Sequence, residues 1–114
     1  MLGIQCEISL ELPEWMDYEW ALENNINLYA LGENPDGFGG QLGHMFNVPA
    51  LPPVGSIIVV IDVIEMVEVA VSEIKFFLSS DGAPEITVYT TFRRTVKEHE
   101  WRKIVEQLLQ QGWK

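Results

Sequence analysis

No lysine or arginine occurs in this chain before Lys75. The preceding stretch holds twelve carboxylates: Glu7, Glu11, Glu14, Asp17, Glu19, Glu23, Glu33, Asp36, Asp62, Glu65, Glu68 and Glu73. Residues 75 to 114 carry all seven cations against five acids, so the two stretches hold −12 and +2 and the chain −10. A field of this sign repels nucleic acid and anionic membrane and attracts basic protein surfaces or metal cations. The late basic residues Arg93, Arg94, Lys97, Arg102 and Lys103 are interleaved with Glu98, Glu100 and Glu106, so no basic stripe for nucleic acid forms there either.

Cysteine is nearly absent. Cys6 alone excludes an internal disulfide, which suits a reducing compartment. With no basic n-region or signal-peptide core at the start, the expectation is a cytoplasmic protein. The longest stretch free of charge, Gly37 to Ile61, contains Pro49, Pro52 and Pro53 and the polar Gln41, His44 and Asn47. That composition is unsuited to a lipid-exposed helix, and no membrane span is expected.

Ligand and catalytic motifs are also missing. A G-x-G-x-x-G beginning at Gly37 would need glycine at Leu42, and no Lys-Ser/Thr follows the cluster Gly37, Gly39, Gly40, Gly43. A calcium loop with Gly37 at its sixth position would put Gly32 and Gly43 where acidic ligands belong. A looser site at Glu33 and Asp36 offers only a partial set of oxygens. His44 and His99 have no neighbouring ligands at zinc spacing. His44 is the better placed of the two for acid–base work, with a Cys6–His44 dyad as one form of it, but no third group or oxyanion element accompanies them. No metal, cofactor or catalytic residue is therefore assigned.

What is present is enough apolar material, 47% of residues with 11% aromatic, to build one folded domain over residues 1–114. Leu2, Ile4, Cys6, Ile8, Leu10 and Leu12 alternate with Gly3, Gln5, Glu7, Ser9 and Glu11, the period of a strand with one wet face. Pro13 ends it. Glu14 to Asn25 reads as a short helix with acids in its first turn. Ile26, Leu28 and Ala30 alternate as a short strand. Asn34-Pro35-Asp36-Gly37 is a turn signal. From Gly32 to Gly55 the density of glycine and proline predicts a long connection.

Ser56 to Ile61, apolar and β-branched, predicts a central strand. In Met66 to Leu78 the apolar set changes parity between Val71 and Ile74, which predicts a β-bulge near Ser72–Glu73. Ile86, Val88, Thr90 and Phe92 alternate as a further strand. Thr95 and Glu98 form a capping box before a helix over 96–111. Trp101, Ile104, Val105, Leu108 and Leu109 make its apolar stripe, of which Trp101, Val105 and Leu108 should be buried against Ile4, Ile8, Val88 and Phe92. Gly112 and Trp113 suit a Schellman ending. The expected fold is α+β, an antiparallel sheet of about four to five strands with the C-terminal amphipathic helix on one face and a short second helix.

Glu14, Trp15, Asp17, Tyr18, Glu19, Trp20 and Glu23 mix aromatics with carboxylates, as a protein interface does. The competing interpretation is a helix with its aromatics in the core. Phe38, Leu42, Met45, Phe46, Val48 and Leu51 mark a second patch in the neutral stretch, which otherwise packs over a sheet edge, and Phe38, His44 and Phe46 are taken from that stretch. With the seven residues above, these three are the candidate partner-binding set. The function expected is a non-catalytic acidic binding protein of inhibitor or immunity type that engages a basic protein, with mimicry of nucleic-acid charge as one form. The alternatives are a small enzyme or ligand-binding domain with a pocket under the 32–55 stretch, and a structural or assembly subunit using an exposed strand edge.

Overall fold

The computed structural model describes residues 3–12, 18–30, 38–61, 66–93 and 98–114, and for Ala30, Phe38, Glu98 and His99 the backbone only. The elements are β1 (Ile4–Glu11), α1 (Tyr18–Glu23), β2 (Asn27–Ala30), β3 (Phe38–Val48), β4 (Ile57–Val60), β5 (Val67–Phe77), β6 (Glu85–Phe92) and α2 (Glu98–Gln110). The strands form one sheet in the order β2-β3-β1-β6-β5-β4. The expected capping box and the 34–37 turn lie outside the described residues.

The architecture is α+β, but the sheet has six strands and is mixed. Every neighbouring pair is antiparallel except β1 and β6, which run parallel. The parallel pair arises because the β4-β5-β6 meander docks its last strand against the free side of β1. That strand's direction is set by two hairpin reversals, not by its own residues.

The extra strand is β3, which occupies much of the stretch expected to be a connection. Leu42, His44, Phe46 and Val48 alternate there, but glycine lowers the local strand propensity and masks the period. The glycines serve close approach. A Cβ on Gly39 would sit 2.6 Å from the Tyr29 hydroxyl, and one on Gly43 would collide with the Glu7 carboxylate. Two side chains of neighbouring strands thus lie flat across β3 because it has none at those positions.

The register sorts the faces. Cys6, Ile8 and Leu10 are opposed on β3 by Phe46, His44 and Leu42. Ile8 and Leu10 meet Val88 and Thr90 on β6. These residues face the helices. Trp101, Val105 and Leu108 of α2 are buried with Ile8, Leu10, Leu42, Val69, Val71 and Val88. Each such side chain contributes about 1.5–3 kcal/mol of transfer free energy. Ile4, expected in this contact, is only half-buried. Trp20 of α1 meets Trp101 edge to face, centroids 5.0 Å apart, so both helices share this side.

β5 shifts register between Val71 and Glu73, the expected bulge. Val69 and Val71 before it and Ile74 after it therefore all oppose helix-facing residues of β6. The Ser72 hydroxyl donates to the Tyr89 carbonyl at 3.1 Å.

α2 ends as the sequence predicts. Gly112 has φ +94°, its N–H donates to the Leu109 carbonyl at 3.2 Å, and the Trp113 N–H donates to the Leu108 carbonyl at 3.1 Å. These are the two bonds of a Schellman motif. The turn aims the terminus back at the sheet, where Lys114 and Gly43 exchange backbone hydrogen bonds of 3.0 and 2.9 Å. Trp113, 2% exposed, packs against Phe46 and His44 with centroids 5.7 Å from each.

β4 was expected in the centre and lies at the edge. A run of β-branched apolar residues normally signals burial on both faces. Here Ile58 and Val60 face inward, while Ile57 and Val59 are exposed.

Candidate functional site

The sheet has a helix-covered face and an open face. On the open face the β1–β6 register sets Glu7 and Glu11 beside Thr87 and Thr91, and Gln5 and Glu85 line one hollow with Glu7. β5 adds Glu68, Glu73 and Lys75. The cations there are engaged. Arg93 Nη1 lies 2.8 Å from Glu68 Oε2, and Lys75 Nζ lies 4.0 Å from Glu73 and 5.2 Å from the Tyr89 ring centroid. Glu11 accepts a 2.6 Å hydrogen bond from the Tyr29 hydroxyl. Among the described residues, Glu7 and Glu85 have no cationic partner.

Glu7 and Glu85 line one hollow of about 630 Å³, together with Gln5, Met45, Pro84 and Thr87. Met45, at the rim, is exposed. Two carboxylates beside an apolar rim match a lysine or arginine side chain, whose charged head needs anions and whose methylene stem needs apolar contact.

A second concavity lies on the helix-covered side of the sheet. Its volume is about 370 Å³, and Ile8, Phe46, Val48, Pro52, Ile58, Val60 and Trp113 are among its lining residues. β3 and β4 lie on opposite flanks of the sheet order yet line this pocket together, so the sheet curls around it. The lining is apolar, and it lies under residues 46–52 of the expected connection.

The ten partner-binding candidates are not assembled into one patch. Glu14, Trp15 and Asp17 lie outside the described residues, as does the Phe38 side chain. Tyr18, Glu19 and Glu23 are exposed on α1, on the helical side of the sheet. Trp20 packs on Trp101, the core alternative weighed for it. His44 and Phe46 face the helices beside Trp113, with their own centroids 4.9 Å apart.

The His44 Nδ1 lies 2.8 Å from the Met45 carbonyl oxygen. A carbonyl only accepts, so Nδ1 carries the proton in this contact. Cys6 is paired with Phe46, one step along from Ile8 and His44 on the same face. It is fully buried, and burial pushes its thiol above the ordinary value, which disfavours the thiolate a nucleophile needs.

Among the described residues, no group of three or more His, Cys, Asp or Glu side chains could hold a metal ion. Among them, no helix is long and apolar enough to cross a membrane. Sequence reasoning missed Glu85 and Gln5 as site residues, and it placed Met45 in the neutral patch rather than beside carboxylates. Glu7 was legible as a wet-face residue, but its neighbours come from strands that only the register brings alongside. No family model, curated protein or solved structure matches this chain.

Proposed function

We propose that this is a non-catalytic binding domain that engages a basic protein surface through the open face of its sheet. One observation carries the reading: Glu7 and Glu85 share a hollow with no ion-pair partner among the described residues, while Lys75 and Arg93 on that face are already paired. A lysine or arginine from a partner completes the hollow, and Glu11, held by Tyr29, extends the acidic surface along β1. The charge of −10 steers the encounter, and the fit at the hollow gives specificity. The inhibitor or immunity class, acting in a reducing cytoplasm, fits a small acidic domain with one buried thiol.

The test is association with a lysine-rich protein such as a histone-like basic domain, measured by stopped flow across a salt series. Glu7→Lys with Glu85→Lys should slow association about ten-fold at low salt, and wild type should slow as salt rises. Unchanged rates for the double reversal would refute the reading.

A further inference from the structure

The outer edge of β4 is short, four residues, and Ile57-Ile58-Val59-Val60 carries none of the charges, prolines or bulges that blunt longer sheet edges. No strand among the described residues pairs with that edge. Val59 is 47% exposed, Ile61 73% and Met66 68%. The 370 Å³ pocket is lined by Ile58 and Val60 of one parity and by Val59 and Ile61 of the other. Both parities of one strand reach a single cavity where that cavity wraps a free edge.

We propose that the outer edge of β4 accepts an extended, cationic segment of the partner as a further strand, with one apolar side chain of that segment seated in the adjoining pocket. An added strand supplies the missing backbone partners and turns alternate side chains to opposite faces. One set meets the pocket, and the other meets the open side of Ile57 and Val59. Charge selects the occupant. Two copies at −10 each repel, which disfavours edge-to-edge pairing of this chain with itself. A cationic segment is attracted by the net charge of −10, while the Glu68–Arg93 pair beside Val59 is neutral in sum. The proposal rests on the basic partner inferred above but concerns a separate place. The Glu7–Glu85 hollow lies by the end of β5 that pairs with Glu85, and β4 pairs with the opposite end of that strand.

The experiment uses the full chain and a labelled nine-residue peptide, threonine and lysine alternating around one central leucine. Anisotropy gives affinity, and amide NMR shifts give location. Binding should shift the amides of Ile57 to Val60. N-methylation at alternate peptide positions should weaken it about ten-fold through lost backbone bonds. Replacing the leucine by threonine should weaken it about ten-fold. Ala50→Trp, at an exposed pocket residue, should do the same without unfolding the chain.

Equal binding by the N-methylated peptide, or shifts confined to the hollow, overturns the edge proposal and leaves the acidic hollow standing. Shifts at β4 that ignore reversal of Glu7 and Glu85 uphold the edge and count against the hollow. Equal binding by a lysine-free serine version overturns the cationic occupant. So does self-association in sedimentation that Ala50→Trp abolishes, since the occupant is then a second copy.

Discussion

Gly39→Ala tests whether the glycines of β3 exist for close packing. The new Cβ would stand 2.6 Å from the Tyr29 hydroxyl and 2.7 Å from the ring carbon Cε2, closer than such atoms approach. The Tyr29 ring must swing away and release the 2.6 Å hydrogen bond to Glu11. Overpacking costs about 1–3 kcal/mol. The hydrogen bond is exposed, so its loss adds only about 0.5–1 kcal/mol. Against this, alanine regains about 0.5–1 kcal/mol over glycine within a strand. The net expectation is a loss of about 1–3 kcal/mol, a fall in Tm of about 4–18 °C. Urea unfolding followed by tryptophan fluorescence measures it. In a Tyr29→Ala background the clash is gone, and Gly39→Ala should become neutral or stabilising by up to about 1 kcal/mol. A loss of the same size in both backgrounds would refute the reasoning, because the glycine would then be required for something other than Tyr29.

Other expectations follow from the same geometry. Deleting Ser72 removes the bulge residue and leaves strict alternation from Val67 to Phe76, so the chain should still fold cooperatively. Deleting Ala70 instead inverts Val67 and Val69 relative to the rest of β5 and should cost more than about 3 kcal/mol, read by denaturation. Trp113→Ala empties the contact with Phe46 and His44 and should cost about 3–5 kcal/mol, with faster amide exchange at Gly43. Cys6 should resist iodoacetamide in the native chain and react only on unfolding, because its thiol is buried and pushed up. Prompt native labelling, monitored by mass spectrometry, would contradict that placement.

Local pattern alone was enough for the elements whose periodicity is uninterrupted. β1 and β6 show strict alternation. α2 has its apolar stripe, and Gly112–Trp113 sits where a Schellman ending requires it. The bulge in β5 was legible because a two-residue period makes one extra residue visible as a change of parity.

β3 was not legible, because the glycines that erase its strand signal answer to Tyr29 and Glu7, side chains of other strands. The edge position of β4 was equally hidden. An apolar run reports that a strand is sticky, not which neighbour covers it, and coverage depends on strand order. The acidic hollow belongs to the same class. The charge imbalance was plain in the sequence, and it favours the basic partner proposed above. Which carboxylates stand together was decided by tertiary pairing, since parallel contact between β1 and β6 places Glu7 and Glu85 in one hollow from opposite ends of the chain. Sequence determines local periodicity and total charge because both are sums over neighbouring residues. Register, strand order and shared hollows come from long-range pairing, where each residue's role is set by a partner it cannot specify alone.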